Sequence, residues 1–127
     1  MKIKTSELTG AALDWAVSKA DNPPGKEGGM DWWERDDKGY LFDPLNECTY
    51  SPSADWAQGG TILEMEKIDL YYSTEQALWA AAIWKDVQGG GQLEHKQTGC
   101  STPLIAAMRC FVVSRLGDTV EVPDELA

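Results

Sequence analysis

The chain of 127 residues has the length of one domain, so we predict a single domain over residues 1–127 and exclude two independent ones. Apolar residues at 43% and charged residues at 25% are typical of a folded soluble protein and exclude a disordered or fibrous chain. The formal net charge is −10, and residues 21–66 hold eleven acidic residues against three basic ones. Such a surface repels a phosphate backbone, so direct binding of nucleic acid is not expected.

The sequence contains no candidate membrane segment. Its longest apolar run, residues 77–84, is far shorter than the roughly 20 residues that a membrane span needs. Lys2 and Lys4 are not followed by the apolar core of a signal peptide. We therefore expect a cytoplasmic location and no membrane partner.

The first predicted elements are a short strand over residues 1–5 and a helix from Ser6 to Asp21. Thr5 or Ser6 is expected to cap this helix, and the sequence from Asn22 to Gly25 ends it because its two prolines cannot continue a helix. The stripe at helical spacing consists of Leu8, Ala11, Ala12, Leu13, Trp15, Ala16 and Lys19.

Residues 21–39 form an excursion rich in Gly, Pro and charge that exceeds the usual loop length, as mobile or functional segments do. After it, residues 40–42 predict a short strand. Residues 50–60 predict an ordered surface loop, because turn-forming residues surround one aromatic side chain there.

The centre of the chain has the pattern of strands. Residues 61–66 and 68–72 predict two of them, the second with alternate side chains on a buried face. Residues 78–84 are ambiguous, because their alanines favour a helix whereas the flanking Trp and Ile favour a central strand, and we interpret them as a strand. Residues 85–101 then predict a flexible connection.

The last helix is predicted to begin after Thr102, its N-cap, with Pro103 in the first helical position, and to end at Gly117. Its expected buried stripe is Leu104, Met108, Phe111, Val112 and Leu116. Residues 120–125 predict an edge strand or a surface tail. The chain therefore predicts an α+β fold, in which a small antiparallel sheet of three to five strands packs against an N-terminal and a C-terminal helix.

The tryptophans divide into two predicted groups. Trp15, Trp79 and Trp84 lie among apolar residues and are expected in the core. Trp32, Trp33 and Trp56 lie among turn-forming and charged residues and are candidates for a pocket or an interface.

The start of the last helix is one candidate ligand site. Its free backbone N–H groups, the hydroxyls of Ser101 and Thr102 and the positive end of the helix dipole can hold a phosphate without a basic patch. The structural alternative is ordinary helix capping by a Thr-Pro pair.

The loop predicted from Tyr50 to Gly60 is a second candidate. The ring of Trp56 can stack on a base, and polar side chains around it can bond to the edge of the base or to a ribose. The candidate binding residues of this loop are Tyr50, Ser53, Asp55, Trp56, Gln58 and Gly59. In the structural alternative, Trp56 closes the edge of the core and the polar side chains bond their own turns.

Arg109 is a third candidate, because a guanidinium beside core positions needs a carboxylate, a carbonyl or a ligand. A structural salt bridge with one of the many acidic groups is the alternative role.

A catalytic or metal site has little support. His95 and Cys100 are candidates for a base and a nucleophile, but no third group or oxyanion hole is apparent. A zinc site would need His95 and all three cysteines, Cys48, Cys100 and Cys110, which lack finger-like spacing. Without CxxC spacing or an export signal, these cysteines are expected to be reduced. We expect no metal and no cofactor.

Several segments carry a family resemblance. Residues 4–17 (KTSELTGAALDWAV), 50–60 (YSPSADWAQGG), 102–109 (TPLIAAMR) and 116–123 (LGDTVEVP) resemble the NinX-like family of small proteins encoded by lambdoid phages and prophages. The resemblance implies a phage accessory protein in the cytoplasm of an infected bacterium, and it implies no catalytic activity.

The function expected from these residues is binding without turnover, in which a nucleotide-like host defence signal is captured. The first alternative is an acidic protein-protein inhibitor of a basic host enzyme, or a DNA mimic, that uses residues 21–66. The second is a thiol enzyme acting through Cys100 and His95. A homo-oligomer is compatible with each of these functions, because ligand pockets often lie at subunit boundaries.

Overall fold

The computed structural model describes residues 1–21, 34–35, 41–43 and 48–126. Its α-helices are α1 (Gly10–Asp21), α2 (Trp56–Met65) and α3 (Pro103–Leu116), and short 3₁₀ turns cover Thr5–Glu7 and Asp124–Leu126. Its strands are β1 (Lys2–Lys4), β2 (Glu34–Arg35), β3 (Leu41–Asp43), β4 (Cys48–Tyr50), β5 (Asp69–Ser73), β6 (Leu78–Val87), β7 (Gly90–Cys100) and β8 (Thr119–Glu121).

The strands pair in three antiparallel sheets. The order β5-β6-β7 forms one sheet, β2-β3-β4 forms a second, and β1 pairs with β8 in a third. The chain thus has the predicted α+β fold, with a three-stranded antiparallel sheet packed against the C-terminal helix and the N-terminal helix packed against that same helix. The tail forms β8, so the edge-strand alternative is confirmed.

Helix α3 lies at the centre of the core. The sheet β5-β6-β7 packs on one side of it, and α1 and α2 pack on others. Every residue from Ala106 to Val113 is buried, so α3 is covered nearly all round rather than along one stripe, as expected for a helix between two layers. Leu116, predicted in the buried stripe, is exposed because it lies in the last turn, beyond the covering elements.

Both ends of α3 match the prediction from sequence. Thr102 is the N-cap, with its Oγ1 accepting a hydrogen bond from the N–H of Ile105 at 3.1 Å, and Pro103 occupies the first turn. Gly117 ends the helix at φ +90°, a conformation that favours glycine.

The beginning of the first helix was predicted wrongly. Thr5 and Ser6 do not cap α1 but belong to a 3₁₀ turn, and α1 begins at Gly10 and ends as predicted at Asp21. The reason lies in tertiary contacts: the hydroxyl of Thr5 donates to the carbonyl of Gly117 at 2.7 Å. Thr5 therefore connects the N-terminal segment to the end of α3.

The strand predicted over residues 61–66 is wrong, because α2 occupies Trp56–Met65. The same helix replaces residues 56–60 of the loop predicted over residues 50–60, whereas residues 51–55 form a turn between β4 and α2. The pair Gly59–Gly60 resembled a turn in sequence, yet Gly59 is needed for packing inside the helix. A Cβ added at Gly59 would lie 2.1 Å from the carbonyl oxygen of Pro52 and 2.8 Å from Cδ2 of Leu104.

The predictions for the main sheet are mixed. The strand predicted over residues 78–84 is confirmed within β6, and β5 covers most of the strand predicted over residues 68–72. The flexible connection predicted over residues 85–101 is wrong, because β6 continues to Val87, turns at Gly89 (φ +96°) and returns as β7. Pairing with β6 gives these polar residues a regular structure that their own side chains do not indicate.

Trp15 and Trp79 pack against the core as predicted, whereas Trp84 lies on the outer face of the sheet and is 45% exposed, so its predicted burial is wrong. Alternation along β6 decides this, since Trp79 and Trp84 face opposite sides. Trp32, Trp33 and most of the excursion at residues 21–39 lie outside the described residues.

Candidate functional site

A cleft of about 400 Å³ lies where the beginnings of the three α-helices of the described chain meet. Gly10, Trp56 and Pro103, the first residues of α1, α2 and α3, all line it. Within the described residues, the lining consists of Gly10, Ser53, Ala54, Trp56, Thr102, Pro103, Leu104 and Ile105. None of these side chains is charged, although the protein carries a net charge of −10.

The electrostatics of this cleft follow from helix geometry. The first N–H groups of an α-helix have no intrahelical acceptor and, with the macrodipole, place positive partial charge at the N-terminus. Three such ends border one cleft, and among the described residues no acidic side chain belongs to its lining. The end of α2 already carries the carboxylate of Asp55 as its N-cap, whereas the first turns of α1 and α3 hold no acidic residue. The cleft is therefore suited to an anionic group.

The N-terminus of α2 is held in place by the side chains of Asp55 and Gln58. Oδ1 of Asp55 accepts from the N–H of Ala57 at 2.9 Å, which makes Asp55 the N-cap. Nε2 of Gln58 donates to Oδ2 of Asp55 at 3.1 Å and to the carbonyl of Thr49 at 2.8 Å. Its Oε1 accepts from the N–H of Ser51 at 2.8 Å. Asp55 and Gln58 thus stabilise the turn before α2, as the structural alternative predicted.

Trp56 follows this cap and is 55% exposed, so the structural alternative, in which it closes the core, is wrong for this residue. Its ring packs along its own helix, with Cε3 lying 3.6 Å from the position that a Cβ would occupy at Gly60. A large part of the indole remains open toward the cleft and solvent.

Ser53, which forms part of the cleft wall, is hydrogen-bonded to the buried side chain of Asp14. The Oδ1 of this buried carboxylate accepts from the N–H of Ser53 at 2.9 Å. Among the described residues its Oδ2 has no hydrogen-bond partner. Burial raises the pKa of Asp14 to about 6, and the hydrogen bonding from Ser53 opposes this shift only in part.

Asp14 was not among the residues predicted from sequence. The available signal was a carboxylate between buried positions of α1, at Leu13 and Ala16, where a charged side chain needs a partner. The same region contains Tyr50, whose pKa is raised by burial and by the carboxylates of Asp21 and Asp14.

The structure brings together three of the predicted site residues, Ser53, Trp56 and Thr102, which line the one cleft. Ser101 is exposed immediately before Thr102. Tyr50 and Gly59 are buried in the structure beside the cleft rather than in its lining.

Arg109 does not belong to the cleft lining. Its Nε donates to the carbonyl of Leu8 at 2.8 Å, and Nη1 lies 3.5 Å from Sγ of Cys100. The carboxylate predicted as its structural partner is not found among the described residues. A buried backbone carbonyl and a thiol take that place.

The alternative catalytic pair does not meet in space. His95 and Cys100 lie on the same strand, five positions apart, which corresponds to roughly 16 Å along an extended chain. Cys100 is 1% exposed, and His95 contacts Glu94 with Nε2 at 3.4 Å from Oε1. A base and a nucleophile require hydrogen-bond distance, so this pair cannot act as one.

The described residues provide few groups for metal binding or redox chemistry. Within them, no three His, Cys, Asp or Glu side chains gather in a way that could hold a metal ion. Cys100 and Cys110 are free and buried, and burial raises the pKa of the Cys110 thiol to about 12. Asp36 and Asp37, which belong to the acidic segment of the host-inhibitor alternative, lie outside the described residues.

In the part of the chain that the structure describes, each helix is too short or too polar to cross a membrane. Comparison with protein families finds one described as bacteriophage P22, NinX, whose model matches residues 4–115. A search of curated proteins finds no match.

Proposed function

Because the chain belongs to the NinX family of phage accessory proteins, we propose that it binds a small, anionic, nucleotide-like host molecule in the cleft at the three helix N-termini and holds it without turnover. The observation that carries this proposal is that Trp56 and Thr102, more than forty positions apart in sequence, line the same cleft. A flat ring and a positively polarised helix end are thereby adjacent.

The two features match the two parts of a nucleotide. An exposed indole can stack on a base, which contributes about 1–3 kcal/mol per base. Each helix N-terminus favours an anion by about 0.3–1 kcal/mol when exposed, and two of the ends at the cleft, those of α1 and α3, have no acidic residue in their first turn. Its volume of about 400 Å³ lies within the range of small-ligand pockets.

Binding without reaction is favoured by the chemistry of the lining. Among the described lining residues, the only side chains with polar hydrogens are those of Ser53 and Thr102, through their hydroxyls, and of Trp56, through its indole N–H. None of these is a base, so the cleft offers hydrogen bonds and charge stabilisation but no group to accept a proton at neutral pH. During infection, removal of a host signal would be a stoichiometric effect.

The test uses the purified full chain and a defined set of probes: AMP, ADP, cyclic AMP, adenosine and inorganic phosphate. We expect calorimetry to detect a nucleotide that binds more tightly than adenosine or phosphate alone, since only the nucleotide engages both features. Protein isolated from infected or defence-active cells should release a nucleotide detectable by mass spectrometry.

Two tryptophan variants locate the site. Trp56→Ala should weaken nucleotide binding at least tenfold. Trp84→Ala removes a tryptophan that is also exposed, at 45% against 55% for Trp56, but lies outside the cleft lining, and it should leave binding unchanged. The proposal is wrong if the protein neither retains a nucleotide from such cells nor binds any of the nucleotide probes.

A further inference from the structure

The sheet β5-β6-β7 has an apolar outer face that the described part of the chain leaves exposed. Side chains alternate along β6, so Ala81 and Ile83 lie toward α3 whereas Ala80, Ala82 and Trp84 lie on the outer face. Three large side chains of the outer face, Tyr71, Trp84 and Leu93, are 44%, 45% and 44% exposed. A contiguous exposed apolar patch of this kind marks an interaction surface.

The shape of this face is concave. The small side chains Ala80 and Ala82 lie between Tyr71 on one side and Trp84 and Leu93 on the other, and they form the floor of a groove of about 290 Å³. This groove shares no lining residue with the cleft at the helix N-termini. Lys96 is the one charged residue among the described residues of the groove lining.

The charges at the two edges of the sheet indicate which kind of partner can bind this face. Asp69 of β5 pairs with Ala82 of β6, which in turn pairs with Lys96 of β7, so the three residues form one row across the sheet. Asp69 lies on the outer face, because the hydroxyl of Tyr71 donates to its Oδ2 at 3.3 Å. Two strand spacings, roughly 10 Å, separate the two charges. Within the described residues, neither side chain forms an ion pair.

We propose that this face binds a second copy of the chain, around a two-fold axis that runs parallel to β6. Rotation about that axis exchanges β5 and β7, so Asp69 of one copy faces Lys96 of the partner subunit, and the reciprocal pair forms as well. At the axis, Ala82 of one subunit faces Ala82 of the partner subunit, and these small side chains leave room for the surrounding aromatic rings. Sheets packed face to face lie about 10 Å apart, a distance that Lys and Asp side chains span.

The charge pattern excludes the other face-to-face arrangement. A two-fold axis perpendicular to the strands places β5 on β5 and β7 on β7, so Asp69 cannot reach Lys96 of the partner subunit. Only the parallel axis gives both opposite-charge pairs together with the apolar contact. This inference is independent of the proposed nucleotide site.

Sedimentation velocity and light scattering on the full chain, from 1 to 100 µM, test the proposal. We expect a dimer of about 28 kDa, twice the 14.0 kDa of the chain. Asp69→Lys and Lys96→Asp each create two like-charge pairs and should weaken dimerisation at least tenfold. Glu64→Lys and Lys2→Asp, at exposed positions away from the groove, make the same changes in net charge and should leave the dimer intact.

The decisive measurement combines the two charge reversals, either in one chain or in a mixture of the two single variants. The double variant Asp69→Lys/Lys96→Asp should dimerise like the parent protein, because each opposite-charge pair across the axis is restored. An equimolar mixture of the two single variants should form heterodimers, because position 69 of one subunit and position 96 of the other then carry opposite charges in both contacts. Circular dichroism and thermal melting verify that every variant is folded. A parent protein that is monomeric at 100 µM, single variants that dimerise normally, or single variants that fail to form heterodimers when mixed would each overturn the proposal.

Discussion

The carboxylate of Asp14 and the backbone N–H of Ser53 lie 2.9 Å apart in the interior, although 39 positions separate them in the sequence. This bond connects α1 to the turn that precedes α2, and Ser53 is also part of the cleft wall. The arrangement of the cleft therefore depends on a buried carboxylate outside its lining.

The titration of Asp14 predicts how stability depends on pH. Its pKa is about 6 in the folded protein, above the ordinary value of 3.8 for an aspartate in water, so the folded state binds this proton more tightly than the unfolded state. The contribution of Asp14 to the free energy of unfolding should therefore fall as pH rises from about 4 to 6 and level off above pH 7. The total decrease should be about 3 kcal/mol, because the pKa differs by about two pH units between the two states.

Urea unfolding of the parent protein and Asp14→Asn between pH 4 and 7.5 measures this effect. The free energy of unfolding of the parent, minus that of Asp14→Asn, should decrease over this range. A flat difference for Asp14→Asn would contradict the prediction.

The neighbouring glycines of α2 should respond in opposite ways to alanine. Gly59→Ala places a Cβ 2.1 Å from the carbonyl oxygen of Pro52, so it should destabilise the protein by about 2 kcal/mol or more. Gly60→Ala meets only an ordinary contact at 3.6 Å with Trp56 and should be neutral or stabilising by about 0.5–1 kcal/mol. Chemical unfolding of both variants is the measurement, and equal effects would refute the packing argument.

The N-cap of α3 can be removed by one substitution. Thr102→Ala deletes the oxygen that accepts from Ile105 N–H at 3.1 Å and should cost about 1 kcal/mol. Thr102→Ser keeps that oxygen and should retain most of the stability. The comparison of midpoints in denaturant tests this, and a Ser variant as unstable as the Ala variant would argue against capping.

Arg109 and Arg115 provide a matched pair of arginines on α3. Arg109→Met leaves the buried carbonyl of Leu8 without its donor and should destabilise by about 1–3 kcal/mol. Arg115→Met breaks an exposed ion pair with Glu66 and should cost less than about 1 kcal/mol, and less still in high salt. Unfolding at low and high salt distinguishes the two, and a large salt-sensitive effect at Arg109 would contradict its assignment.

Cysteine reactivity should follow burial. Cys110 is fully buried and its pKa is raised to about 12, so its thiol should resist alkylation at pH 8 in the native state and react after unfolding. Peptide mass mapping after timed alkylation measures each cysteine separately. Rapid modification of Cys110 in native protein would show that the packing around α3 opens readily.

Local signals in the sequence predicted those features whose causes are local. Thr102-Pro103 and Gly117 specify the two ends of α3, because an oxygen that accepts from the backbone, a fixed φ and a missing Cβ act within one helical turn. The same holds for the strand β6, where bulky and β-branched side chains outweigh the alanines between them. The family, too, was identifiable from short segments.

Features that depend on distant contacts could not be predicted. In the sequence Gly59 indicates a turn, and only the close contacts of Pro52 and Leu104 explain why a glycine is needed within the helix. The polar strand β7 acquires its structure from pairing with β6. Asp14 becomes important only because the turn at Ser53 folds onto α1.

By itself, the sequence determined the fold class, the caps of α3 and the residue types of a binding site. Only the tertiary structure decided that Ser53, Trp56 and Thr102 share one cleft with the beginnings of all three described helices, while Asp55, Gln58 and Arg109 serve the fold. The physical reason is that caps and periodicity act over one or two helical turns, whereas a cleft is defined by how whole helices pack, through contacts between residues far apart in the chain.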